Sequence, residues 1–175
     1  MVKYQNRKRL AFKITGPARM EYLKSVFPDA VFVQITRDPV STIRSWLEIH
    51  WSGQITDQLW WIGAYSEEEL QTAASLSKDQ ALFAAFQYRK LMEATAYEIK
   101  KLNEHVYTAN YEDFVKHPKD FIANMLKHLE LKQSKHIDNF MSKLSVQNRN
   151  NRAAASAKTA ISEETKIKIM QIVNS

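Results

Sequence analysis

Arg37, Asp38 and Pro39 stand in a row, with Ser41 and Ser45 following, and these residue types at this spacing could together hold a phosphate. A guanidinium pairs bidentately with phosphate oxygens, and a serine hydroxyl adds a short charge-assisted bond. Asp is a preferred N-cap and Pro a preferred first helical residue, so a helix is predicted to start here and to aim free backbone N–H groups at the end of the preceding strand. Such a helix end favours an anion. Ser45 falls on the helix face of Ser41, while Val40, Ile43, Leu47 and Trp51 make the opposite, core-facing stripe. The competing assignment for Arg37 is an ordinary ion pair with Asp38 or Glu48.

These side chains need elements to position them. Val31 to Ile35 is short, β-branched and nearly continuous in apolar character, which predicts a strand from Ala30 to Thr36 covered on both faces. Upstream, the pattern predicts a strand near residues 9–15 and a helix from Pro17 to Phe27; downstream, the motif helix runs from Pro39 to about Trp51. Residues 52–78 lose periodicity and hold Trp60, Trp61 and Tyr65, followed by Glu67, Glu68 and Glu69. Such an insert is either a substrate loop or lid, or a short irregular helix whose tryptophans pack on the core.

A long helix is predicted from about Asp79 to Leu102, with Ala84, Tyr88, Leu91, Thr95, Ile99 and Leu102 on one stripe. A strand from His105 to Asn110, a helix near Pro118 and another over Ser134 to Lys143 follow. The polar basic loop 147–153 then leads to a last helix opened by Ser162, Glu163 and Glu164. Strands alternating with helices imply right-handed crossovers in a parallel sheet, hence an α/β fold with a helical carboxyl-terminal part. Residues 1–175 read as a single domain.

Composition bounds the function classes. The chain has 175 residues, 45% hydrophobic and 25% charged, ordinary for a globular domain with a core. Without cysteine there are no disulfides or thiolate metal sites, which predicts a reducing, cytoplasmic setting. No apolar run reaches membrane-spanning length. The net charge of +6 suits a polyanionic ligand, and with the aromatics it admits a nucleic-acid binder as a further class. His105, His117, His128 and His136 show no spacing suited to a metal.

Three ordered blocks carry a family resemblance. Arg37-Asp38-Pro39 with Ser45 resembles the 3′-phosphate motif of the sulfotransferases. Phe12-Lys13-Ile14-Thr15-Gly16-Pro17, then Phe27-Pro28-Asp29-Ala30, is similar to the family's approach to the same strand. Val106 to Phe114, then Pro118 and Leu129-Glu130-Leu131, is similar to its later strand and helix. The resemblance implies a partial P-loop-type three-layer fold with a parallel sheet flanked by helices. It further implies transfer of a sulfuryl group from 3′-phosphoadenosine 5′-phosphosulfate to a hydroxyl or amine, without a metal.

By that resemblance Arg37 and Ser45 grip the 3′-phosphate of the nucleotide, Lys13 lies near the transferred group, and Arg149 and Arg152 belong to a late loop closing over the nucleotide. Thr15 stands where cytosolic members carry a histidine base, and a threonine cannot serve as a general base at neutral pH. His50 and Glu48 are the nearby substitutes; the competing assignment for both is an exposed polar helix end. Tyr111, Glu112 and Asp113 are expected to cap and orient the following helix. The family's glycine-rich 5′-phosphosulfate loop has no counterpart here, because Gly16, Gly53 and Gly63 stand singly.

The chain is therefore expected to be the carboxyl-terminal portion of such a domain, or a degenerate or split member. Without that loop's strand the sheet would have open edges, which implies a homo-oligomer or a complementing chain. The alternative function is a non-catalytic nucleotide-binding or interaction remnant of the fold. The identity of the acceptor has no readable code in residues 52–78.

Overall fold

The structure, a computed structural model, describes residues 9–48, 58–61, 63–102, 106–143 and 160–175. Among these are eight α-helices and two strands. In chain order they are α1 (Met20–Val26), β1 (Val33–Thr36), α2 (Pro39–Glu48), α3 (Glu67–Leu76), α4 (Gln80–Leu102), β2 (Tyr107–Asn110), α5 (Tyr111–Lys116), α6 (Pro118–His128), α7 (Lys135–Lys143) and α8 (Glu163–Asn174).

The strands pair in parallel, with Val33 opposite Tyr107 and Thr36 opposite Asn110. Parallel neighbours need a long crossover, and α2, α3 and α4 supply it. This is an α/β fold with a small parallel sheet and a helical carboxyl-terminal part, as the strand and helix alternation implies.

The core lies among helices. Ile43 of α2, Ala81, Ala84 and Ala85 of α4, and Ile169 of α8 close on one another, with Val40 and Leu47 packed against them. Alanines on α4 leave room for two neighbouring helices to approach closely. A second cluster joins Phe83 and Phe86 of α4 to Ala73 of α3, with the Phe86 ring stacked 5.8 Å from Tyr65. The predicted single stripe of α4 is therefore too narrow: residues 83–88 are all buried, because three helices surround this half.

Within the expected insert, the described residues 58–61 and 63–78 are more regular than their composition implies. Ser66 accepts the Glu69 N–H at 3.2 Å and Glu69 returns a bond to the Ser66 N–H at 2.8 Å. That reciprocal capping box starts α3. Gln87, 1% exposed, ties the preceding segment to α4. Its amide oxygen accepts the Trp60 N–H at 2.7 Å, and its amide N–H donates to the Gln58 carbonyl at 2.9 Å. The Trp60 ring covers Gly16, where φ is +96° and an added Cβ would come within 2.8 Å of the indole.

Two strand expectations are corrected. Residues 9–15 form no strand: Leu10, Phe12 and Ile14 alternate as a strand would, yet are 41%, 58% and 43% exposed. A strand exists only through a ladder partner, and among the described residues none lies beside this segment. Nor is β1 covered on both faces, since Val31 and Ile35 are 54% and 59% exposed. Among the described residues β1 has β2 as its one neighbour, leaving its other edge open.

Candidate functional site

Arg37 leaves the carboxyl end of β1 and Asp38 opens α2 at once. The Asp38 carboxylate accepts the Ser41 N–H at 2.7 Å, and its carbonyl accepts the Thr42 N–H at 2.9 Å. The predicted cap is present, and it takes up the Ser41 N–H, one of the donors expected to face an anion. An anion here would rest on side chains more than on the helix end.

The turn is held from outside its own segment. The Arg37 guanidinium lies 5.0 Å from the centre of the Tyr111 ring, a cation–π distance. The Tyr88 hydroxyl donates to the Arg37 carbonyl at 3.1 Å, and the Asp38 N–H donates to Glu112 at 3.2 Å. Thr36 donates its hydroxyl proton to the Ala109 carbonyl at 3.3 Å, joining the two strand ends. Burial raises the pKa of Tyr88, with the carboxylates of Asp38 and then Glu112 adding to the shift. Its hydroxyl therefore stays protonated and able to donate.

Tyr111 and Glu112 thus differ from their expected capping role. Asn110 caps α5, accepting the Glu112 N–H at 2.8 Å, and α5 ends at His117 before Pro118 opens α6. The aromatic ring and carboxylate are left to serve the Arg37 turn. Their position directly after a strand parallel to β1 was the available signal, because residues there meet at the same sheet end.

The other predicted residues are more scattered. Ser45 is half-buried on α2, and Glu48 is exposed at the end of that helix. Lys13 is exposed in the irregular segment before Gly16 and makes no hydrogen bond or ion pair with another described residue. His50, Arg149 and Arg152 lie outside the described residues. A cavity of about 360 Å³ beside the strand ends is lined by Thr36, Asn110, Asp113, His117 and Asp120. Its carboxylates would repel a phosphate, and neither Arg37 nor Ser45 lines it.

Among the described residues no cluster of His, Cys, Asp or Glu could hold a metal ion, and no helix is long and apolar enough to cross a membrane. Neither a comparison with curated proteins nor one with solved structures gave a match. A model of the sulfotransferase family matches residues 13–135. That stretch runs from Lys13 through the Arg37 turn and Ser45 to the start of α7. With the motif turn, the parallel strand pair and this match over most of its length, the chain belongs to the sulfotransferase family.

Proposed function

We propose that this chain binds 3′-phosphoadenosine 5′-phosphosulfate through Arg37 and Ser45, and that the complete site passes the sulfuryl group to a hydroxyl or amine acceptor. The observation that carries this reading is the fixed guanidinium at the end of β1, directly before the helix bearing Ser45. A phosphate there gains a bidentate charge-assisted contact and a hydroxyl bond. In the transfer, the acceptor oxygen or nitrogen bonds to sulfur while the sulfur–oxygen bond to the 5′-phosphate breaks. The electron pair leaves with 3′-phosphoadenosine 5′-phosphate, and the acceptor proton passes to a base, for which Glu48 and His50 are the nominees. Lys13 is assigned to the transferred group, Arg149 and Arg152 to closure over the nucleotide, and the insert 52–78 to the acceptor side. Rate enhancement would come from positioning and from neutralising charge on the departing phosphate.

A second reading is a nucleotide-binding module that does not transfer. What favours it is the three isolated glycines, which give the 5′-phosphosulfate no glycine-rich cradle among these residues. Calorimetry with 3′-phosphoadenosine 5′-phosphate addresses the part common to both. Wild type is expected to bind, and Arg37→Ala to bind roughly 10- to 100-fold more weakly, as for loss of a charged hydrogen-bonding pair. A folded wild-type chain that ignores the nucleotide, or an Arg37→Ala variant that binds equally well, would overturn the assignment.

A further inference from the structure

We infer that Tyr88 and Glu112 are positioning residues for Arg37, acting together on the single peptide unit that joins Arg37 to Asp38. The inference rests on Arg37 being the 3′-phosphate ligand. The carbonyl that accepts from Tyr88 and the N–H that donates to Glu112 are the two polar ends of one peptide plane. Their partners come from 51 and 74 residues away in sequence, one on α4 and one on α5.

That plane lies in the two-residue turn between the end of β1 at Thr36 and the start of α2 at Pro39. Its orientation sets both the direction in which the Arg37 side chain leaves β1 and the placement of the Asp38 cap over Ser41. Turning the plane over would break both contacts at once. Neither local strand pairing nor the helix ladder fixes it, because it belongs to neither element.

The partners are suited to holding it. Tyr88 is 9% exposed, and its ring lies 6.1 Å from Trp46 of α2, so its hydroxyl is carried on a packed body. Glu112 stands in the first turn of α5, where a carboxylate is ordinary and stabilises the helix dipole. It does more than that here, since Oε1 reaches the Asp38 N–H and Oε2 is buried with no hydrogen-bond partner among the described residues. Drawing a carboxylate partly out of water costs free energy that a solvated helix-end glutamate would not incur. Tyr111, next to Glu112, lies against the guanidinium itself, so the start of α5 meets both the backbone and the side chain of Arg37.

The test is a double-mutant comparison read with two nucleotides: 3′-phosphoadenosine 5′-phosphate, and adenosine 5′-phosphate, which lacks the 3′-phosphate. Tyr88→Phe and Glu112→Ala should each weaken binding of the first by about fivefold, the equivalent of one net hydrogen bond, and leave the second unchanged. Glu112→Gln, which keeps an acceptor oxygen, should retain most of the affinity. In an Arg37→Ala background the same changes should have no further effect. Equal weakening toward both nucleotides, or effects that simply add to Arg37→Ala, would show a general structural role and overturn the inference. Should wild type fail to distinguish the nucleotides, the phosphate reading falls by itself, and amide exchange of Asp38 in the free protein then decides the pin. Faster exchange in Glu112→Ala than in Glu112→Gln supports it, and equal rates refute it.

Discussion

In the helical half Ile43, Ala84, Ala85, Phe86 and Ile169 are each 0% exposed, whereas around the sheet Phe12, Val31 and Ile35 are 58%, 54% and 59% exposed. The residue types are alike, so the difference lies in layering. Helix α4 is flanked by α2, α3 and α8, while among the described residues β1 has one neighbouring strand and no layer over Val31 and Ile35. Fully burying one such side chain stabilises by about 1.5–3 kcal/mol, so the cohesion of the described residues resides in the helices. The Arg37 turn sits where the two regions meet. Its order is supplied by Tyr88 from the packed half and by Tyr111 and Glu112 beyond β2, more than by the sheet itself.

The strongest way to break this comparison is Phe86→Ala. It should cost about 3–5 kcal/mol in a urea unfolding series, because the ring fills space among Ala73, Phe83 and Tyr65 that cannot collapse. A loss below about 1 kcal/mol would mean that the helical half is not the seat of stability.

Gln87→Leu comes next. It keeps the size but strands the Trp60 N–H and the Gln58 carbonyl, for an expected loss of about 1–3 kcal/mol in the same series. Emission from Trp60, which would lose its register over Gly16, should shift with it. Unchanged emission would separate Trp60 placement from the Gln87 anchor.

A smaller effect is expected from pH at the α3–α4 contact. A hydrogen bond from Lys90 at 2.6 Å, then one from the Ser66 N–H, holds Glu69 below its ordinary value of 4.5. The folded carboxyl therefore binds its proton later than the unfolded one. Its contribution is complete above pH 4.5 and is lost as pH falls through the lowered folded value. Lys90→Met should flatten the acid limb of thermal stability between pH 5 and 3, roughly the range over which a glutamate titrates. An acid limb as steep as that of wild type would place the responsible group elsewhere.

Ile35→Thr is expected to do least, within about 0.5 kcal/mol, since the side chain is already exposed and threonine keeps the β-branch. A loss matching Phe86→Ala would show that β1 is covered in solution and would remove the contrast between the regions.

Local chemistry was legible wherever a signal acts within a few residues. Asp38-Pro39 starts a helix, Ser162 caps α8 with its side chain accepting the Thr165 N–H, and Val40, Ile43 and Leu47 face the core as their spacing requires. The Ser-x-x-Glu spacing of Ser66 and Glu69 was the signal available for α3, and it goes unused in a reading by apolar periodicity, which the insert around it lacks. The alternation of Leu10, Phe12 and Ile14 misled, because period two records a preference for pairing and cannot provide the partner.

The sequence by itself determined the starts of α2, α6 and α8, the parallel α/β order and the Arg37-Asp38-Pro39 turn with Ser45 on the following helix, since each follows from short-range sterics, capping and spacing. Only the tertiary structure decided that α4 is buried all round near Phe86, and that Tyr88 and Glu112 meet the two ends of one peptide. Those contacts join residues 51 and 74 positions apart, and such pairings depend on how the crossover helices pack, which no local pattern encodes.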